Sequence, residues 1–220
     1  MDRTGITMNW FDLVGATNGE GKAKSLPSFA LFFEKYRYGL SKILQALPLE
    51  DIQALVADLL AARMERRQIF IFGNGGSAAS SLHMATDLAN IPPYQGVYPF
   101  RVVSLNGNVS HITALANDLG YEKVFEAQLK NLLQPGDLVI AISSSGNSEN
   151  VIRAVNWANN MKGITYGIVG FDGGCLKESA GRSIHIQTEI GQYGFMEDAV
   201  SVISHMVSVY IRELDREKIV

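Results

Sequence analysis

The stretch QIFIFGNGGS, residues 68–77, decides the fold class of this chain. It opens as a run of apolar β-formers, turns through three glycines, and leads into a helical pattern over residues 77–90. A continuous apolar strand that runs directly into a helix is typical of a parallel sheet buried on both faces. The glycines let the backbone approach a ligand closely, and the helix that follows offers free N–H groups, so we expect an anion site here. A plain strand-to-helix turn, the alternative, needs only one glycine.

Four further apolar runs follow outward along the chain, at residues 100–105, 137–142, 166–170 and 183–186. Helical patterns separate them, and we predict helices at 110–133, 147–161, 174–180 and 197–217. Before the first strand, residues 28–67 predict two helices, because Pro48 interrupts the pattern. The alternation predicts an α/β fold with a five-stranded parallel sheet covered on both faces. We expect residues 1–27 to form an irregular extension and residues 28–220 one domain.

The composition excludes several classes of protein. The 220 residues are 47% hydrophobic with a net charge of −3, a poor match for non-specific binding of nucleic acid. No apolar stretch reaches the roughly 18–20 residues of a membrane span, and the N-terminus lacks the apolar core of a signal peptide, so we expect a cytoplasmic protein. The single cysteine, Cys175, excludes an internal disulfide and a multi-cysteine zinc motif.

A serine-rich loop follows the third predicted strand. Its sequence is SSSGNS, residues 143–148, and its hydroxyls and amides can surround a phosphate without Lys or Arg. The loop lacks the Gly-Lys-Ser/Thr of a Walker motif, and Ala78 stands where a dinucleotide fingerprint needs its third glycine. An ordinary polar connection is the alternative for one such loop, but two loops at corresponding positions of one sheet favour a phosphate site.

A third loop, after the second strand, contains polar residues that suit sugar hydroxyls. Asn106-Gly107-Asn108 precedes a helical pattern, and Asn117-Asp118 lies further along it. Side chains of this kind also serve as helix caps and turn residues, and that interpretation stays open.

Histidines and carboxylates form a possible centre for metal binding or proton transfer. His83 and Asp87 are four residues apart, which puts them on one face of a helix. On the last predicted helix, Asp198 and His205 are seven residues apart and also share a face, and Glu197 is eight residues from His205. Such sets suit a metal ion or general acid–base catalysis. A surface hydrogen bond, a helix-dipole contact and a core histidine are the alternatives.

Together these motifs resemble the sugar isomerase (SIS) domain family, and within it the phosphoheptose isomerases. The resemblance runs from about residue 30 to the end and rests on residues 73–77 with His83, Asn117-Asp118, residues 142–152 and the helix of His205. It implies a three-layer, flavodoxin-like α/β sandwich that assembles as a homotetramer with active sites at subunit interfaces. The implied ligand is a phosphorylated sugar, with neither nucleic acid nor membrane as a partner.

The resemblance also implies roles for individual residues. Asp87 takes the place of the acid–base carboxylate and His205 that of its partner. Some members of the family bind Zn²⁺ at positions that match His83, Asp87, Glu197 and His205. Phosphate and sugar contacts fall on the loops, at Asn74, Gly75, Gly76, Ser77, Asn117, Asp118, Ser143, Ser144, Ser145 and Ser148, and on Glu197.

Three positions depart from the family pattern. Asp87 replaces the usual glutamate and is one methylene shorter, Glu197 replaces a glutamine and adds a charge, and Ile91 replaces a common basic residue. Because the four positions for a metal keep side chains able to bind one, we expect a working enzyme, with sedoheptulose 7-phosphate as the leading substrate. The alternatives are an isomerase for another phosphosugar and a non-catalytic sensor or scaffold for a protein partner.

Overall fold

The computed structural model describes residues 28–93 and 96–217, so the predicted extension at residues 1–27 lies outside the described residues. The chain divides into two compact units, residues 1–41 and residues 42–220. Two helices come first, α1 (Phe29–Gln45) and α2 (Leu49–Met64), and they are separated at Pro48 as predicted. The predicted boundary between residues 27 and 28 stays a prediction.

A five-stranded parallel sheet forms the centre of the second unit, as predicted. Its strands are β1 (Gln68–Gly73), β2 (Arg101–Ser104), β3 (Leu138–Ser143), β4 (Ile164–Val169) and β5 (Arg182–His185). Their order across the sheet is β2-β1-β3-β4-β5, and every pairing is parallel. Each residue of β3 is buried, which explains why this strand appears in the sequence as an uninterrupted apolar run.

Helices cover both faces of the sheet and create two cores. One core joins the sheet to α2, α3 (Gly75–Ala89) and α8 (Tyr193–Arg216). The other joins it to α5 (Val124–Leu132), α6 (Glu149–Asn160) and α7 (Gly174–Ser179), with α4 (Val109–Leu119) packed at its edge. The layers therefore form the α/β sandwich that the sequence predicts. Among the described residues, no helix is both long enough and apolar enough to span a membrane.

The predicted continuous helix over residues 110–133 is wrong. The chain leaves α4 at Gly120, makes a 3-10 turn over Tyr121–Lys123 and then enters α5. Gly120 has φ +95°, a left-handed conformation that glycine adopts without the steric cost that a Cβ brings. The break matters for the site, because it turns Tyr121 towards the glycine-rich loop.

The start of α8 also differs from the prediction. The helix begins at Tyr193 and not at residue 197, and the amide of Met196 already donates to the carbonyl of Gln192. Glu197 and Asp198 therefore lie in the second turn. The alternative of a contact with the dipole of their own helix is therefore not favoured, because that effect falls off within the first turn.

A buried ion pair ties α2 to the end of α8. Arg63 Nη1 donates to both carboxylate oxygens of Asp215, at 2.9 and 2.8 Å, and both side chains are almost fully buried. The guanidinium also donates through Nε to the carbonyl of Tyr98 and lies over the ring of Phe100. Loss of one partner would leave the other charge buried without compensation, which is far more costly than loss of an exposed pair.

We expect Arg63→Met to lower the free energy of unfolding by about 3–5 kcal/mol, because Asp215 stays buried without its cation. Urea unfolding followed by circular dichroism measures the change. Arg37→Met is the matched control, since Arg37 and Glu34 form an exposed pair whose loss costs less than about 1 kcal/mol. Equal losses in the two variants would contradict this account of the buried pair.

Candidate functional site

Two polar loops meet at the carboxyl edge of the sheet. The glycine-rich loop follows β1 and the serine loop follows β3, and these strands are neighbours, with Gly73 opposite Ile142. The chain moves from β1 to β2 in one direction and continues to β3 on the other side, so the crevice between the loops is a topological switch point. Ligands of open α/β sheets bind at such points.

A pocket of about 260 Å³ opens between these loops. Eight of its lining residues come from the two loops, and α8 supplies the other two. They are Asn74, Gly75, Gly76, Ser77, Ser143, Ser144, Ser145, Ser148, Tyr193 and Glu197. The structure thus brings together the predicted phosphate and sugar contacts of both loops and Glu197, and it adds Tyr193.

Helix N-termini, and not cationic side chains, lie at this pocket. The helices α3 and α6 both begin at the pocket, and their N-cap residues, Asn74 and Ser148, make no side-chain cap hydrogen bond. The first amides of both helices therefore have no side-chain cap at the positive end of the helix dipole, although the amide of Val151 donates to the carbonyl of Ser148. No Lys or Arg is among the described residues that line the pocket.

Glu197 lies directly against the first turn of α3. A Cβ at Gly76 would overlap the Glu197 carboxylate, so only glycine leaves room for this contact. The carboxylate thus occupies the positive N-terminus of α3, where a negative group is favoured. Any substrate oxygen that approaches the same amides has to share the space with Glu197.

Asn74 is held by Tyr121, which the sequence analysis did not single out, and by Asn150, to which it gave no role of its own. Asn74 and Asn150 form a reciprocal amide pair, with hydrogen bonds of 2.9 and 3.0 Å, and the hydroxyl of Tyr121 donates to Asn74 Oδ1 at 2.9 Å. Asn150 is buried in the first turn of α6. The glycine-rich loop is therefore tied to the helix that follows the serine loop.

A cluster of His83, Asp87 and His205 lies where α3 packs against α8. The two Nε2 atoms are 3.0 Å apart, and Asp87 Oδ2 is 3.6 Å from that of His83 and 3.8 Å from that of His205. Ser204 donates a hydrogen bond of 2.9 Å to Asp87 Oδ2. The aspartate is mostly buried, whereas both histidines are exposed.

The spacing of these three atoms suits a metal ion. A tetrahedral zinc ion with bonds of about 2.0–2.2 Å holds its ligand atoms about 3.3–3.6 Å apart, and the three observed separations scatter around that range. Two imidazole nitrogens and one carboxylate oxygen are also ligands that zinc accepts, with a fourth position left for substrate or another ligand. The donor set therefore fits zinc.

Several predicted residues lie outside these two groups. Glu197 does not belong to the three-residue cluster and contacts the pocket instead. Asn117 donates to Asp118 at the exposed end of α4, and neither lines the pocket, so their contact with substrate stays a prediction. Ile91, where the family resemblance implies a basic residue, is buried in the core and does not line this pocket.

The sequence does not predict the contacts that four residues make in the site. Tyr193 precedes the predicted start of the last helix, Tyr121 falls inside a predicted helix, and Asn150 and Ser204 act through partners distant in sequence. Only the three-dimensional packing of α3, α6 and α8 brings them to the loops. Cys175, by contrast, is an exposed residue of α7 whose amide donates to Asn147 Oδ1.

Comparison with known proteins agrees with the fold. Residues 32–170 match the family described as the SIS domain. The phosphoheptose isomerase of Mycobacterium tuberculosis is 34% identical over 163 residues, which cover 74% of this chain and 82% of the relative. That of Aquifex aeolicus is 36% identical over 137 residues, or 62% of this chain and 70% of the relative.

The solved structure of phosphoheptose isomerase GmhA from Neisseria gonorrhoeae superimposes with a TM-score of 0.72 at 26% identity. The match covers 84% of this chain and 96% of that one. The similarity therefore extends to most of both molecules. The chain belongs to the SIS domain family, among its phosphoheptose isomerases.

Proposed function

We propose that this chain interconverts sedoheptulose 7-phosphate and D-glycero-D-manno-heptose 7-phosphate. The observation that carries the proposal is the position of the Asp87 carboxylate. Asp87 lies on α3, the helix that begins at the pocket, and it is close to two histidines, His83 on α3 and His205 on α8. Relatives at 34% and 36% identity are named phosphoheptose isomerases, which supports this choice of substrate. The cytoplasmic location expected from the sequence stays a prediction.

The helix α3 sets the distance between the two parts of the site. His83 is seven residues beyond Gly76, which corresponds to about 10 Å at 1.5 Å per residue. A phosphate bound by the loops would therefore leave the far end of an extended seven-carbon sugar near the His83–Asp87–His205 cluster. The proposed substrate thus spans both parts of the site.

Asp87 is the group that moves the carbon-bound proton. It takes a proton from C1 of the ketose while O2 is protonated, which gives an enediol, and it then returns a proton to C2 while O1 loses its own. Without a metal, His205, whose Nε2 is 3.8 Å from Asp87 Oδ2, would carry the oxygen-bound proton. With a metal bound, the same nitrogen would hold the ion instead. Ser204 orients the carboxylate through Oδ2 and leaves Oδ1 to face the substrate.

Zinc is the cofactor that we propose, held by His83, Asp87 and His205, with Glu197 as the further ligand implied by the family resemblance. When bound, it would polarise the sugar oxygens and stabilise negative charge that develops on them. The negative charge of Glu197 would favour a cation more strongly than the glutamine usual in the family. The carboxylate of Asp87 has two oxygens, so one can hold the metal while the other handles the proton.

We also propose that copies of the chain cover the histidines by forming a homotetramer. Both histidines are exposed, and exposed apolar side chains of α3 and α8 surround them, namely Leu82, Val202, Met206, Val209 and Tyr210. An apolar rim around polar catalytic groups is typical of an interaction surface. A site covered by a second copy would exclude water from the reacting carbons.

Asp87→Asn is expected to lower kcat by at least about 100-fold, because an amide cannot accept the carbon-bound proton. A coupled assay or NMR with sedoheptulose 7-phosphate measures the rate. Asp51→Asn, an exposed change of the same kind in α2, is the control and should leave turnover unchanged. Full activity of the Asp87 variant would refute its proposed role, and absence of turnover by the unmodified chain, with and without zinc, would refute the heptose assignment.

His83→Ala and His205→Ala are each expected to abolish stoichiometric zinc binding, because each removes one of three convergent ligands. Titration calorimetry on the chelator-treated protein measures zinc affinity independently of turnover. His111→Ala, which changes a histidine outside the cluster, should bind zinc as the unmodified chain does. Unchanged affinity in both ligand variants would exclude this zinc site.

Val209→Glu should reduce the molar mass in solution, because it puts a charge into the apolar rim on α8. Multi-angle light scattering after gel filtration measures that mass. Met161→Glu adds the same charge to an exposed apolar residue at the end of α6 and should leave the assembly intact. A monomeric mass for the unmodified chain would contradict the tetramer.

A further inference from the structure

We infer that Tyr121 and Asn150 are positioning residues that hold the Asn74 carboxamide away from the N-terminus of α3 and so keep its first amides free for ligand. The inference rests on the proposed function only in that it concerns the same pocket. These contacts would explain why α3, whose N-cap residue is Asn74, has no side-chain cap at its N-terminus.

Asn74 stands at the N-cap position of α3, where asparagine is one of the most favoured residues. In a capped helix its side-chain oxygen accepts a hydrogen bond from the amide two or three residues later. The backbone of Asn74, with φ −111° and ψ 154°, is extended in the way that a cap requires, yet no cap hydrogen bond forms. The cause must therefore lie in the side chain.

Another helix of the same chain shows the ordinary behaviour. Asn108 is the N-cap residue of α4, and its Oδ1 accepts a hydrogen bond of 3.0 Å from the amide of His111. The two asparagines have similar φ angles, −111° and −105°. The ψ angles are 154° at Asn74 and 91° at Asn108, and both backbones are extended. Residue type does not distinguish the two asparagines, whereas the partners of the side chain do.

The Asn74 oxygen has no capacity left for a cap. It accepts one hydrogen bond from Asn150 Nδ2 at 3.0 Å and one from the Tyr121 hydroxyl at 2.9 Å, which uses both lone pairs of an amide oxygen. Asn74 Nδ2 donates back to Asn150 Oδ1 at 2.9 Å. The carboxamide is thus held on the side of α6, and the amides of Gly76 and Ser77 remain free.

The two partners differ in what else they do. Asn150 is 3% exposed and packs in the first turn of α6, so its removal also disturbs packing. Tyr121 is 55% exposed. Loss of its hydroxyl therefore costs little packing, and Tyr121→Phe tests the inference with the smallest side effect.

Tyr121→Phe frees one lone pair of Asn74 and allows it to compete for the amides of α3. We expect protection of the Gly76 and Ser77 amides from hydrogen exchange to rise in the ligand-free protein. We expect the Kd for inorganic phosphate, and the KM for sedoheptulose 7-phosphate, to rise by about three- to tenfold, the equivalent of one cap interaction. The kcat should change by less than about twofold, since the interaction concerns binding in ground and transition states alike.

The decisive comparison repeats Tyr121→Phe in an Asn74→Ala background. Alanine has no oxygen to cap α3, so the second substitution should have no further effect on amide exchange or phosphate affinity. Tyr98→Phe removes an exposed phenol outside the pocket and is the matched control. Exchange and phosphate binding need no turnover, so they remain informative even if the chain isomerises a different sugar.

Two results would overturn the inference. One is a Tyr121→Phe variant whose Gly76 and Ser77 amides exchange as in the unmodified chain. The other is an undiminished effect of Tyr121→Phe in the Asn74→Ala background, because Tyr121 would then act on the pocket without Asn74.

Discussion

The site depends on one constraint, which is that the N-cap side chains of α3 and α6 do not cap the first amides of their own helices. A side-chain cap normally satisfies such amides and stabilises the helix. Because α3 and α6 have no side-chain cap, both helices lack that stabilisation. The parallel pairing of β1 with β3 then brings the two uncapped ends to one crevice. Phosphate affinity follows from this arrangement of backbone, and the pocket needs no cation of its own.

The charged side chains of the site are carboxylates, and they lie along α3. The carboxylates of Glu197 and Asp87 lie on or against α3, one at its first turn and the other near its last, and two histidines accompany the second. Anion binding and proton transfer are thereby separated along a single helix. Because α8 supplies Tyr193, Glu197 and His205, the packing of α3 against α8 sets the relation between the two parts.

Sequence reasoning succeeded where the chemistry is local. The strands were predictable because residues buried on both faces form uninterrupted apolar runs, and the loops were predictable because glycines and serines concentrate there. The break at Gly120 was missed because the apolar period continues on both sides of it, and the start of α8 was missed because Gln192 makes no side-chain cap. The contact of Tyr121 with Asn74 joins residues far apart in the chain, and no local pattern encodes it.

The contact between Gly76 and Glu197 has a consequence for how this site can change during evolution. Gly76 does not need the left-handed backbone that glycine permits, since its neighbour Gly75 supplies that turn with φ +53°. The end of the flexible Glu197 side chain, which comes from a distant helix, lies where a Cβ at position 76 would be, so a larger residue there requires this carboxylate to move. Positions 76 and 197 are therefore not independent: a shorter side chain at 197 would make alanine acceptable at 76, whereas alanine arising first would displace the carboxylate. The order of the two substitutions decides whether the intermediate keeps its site.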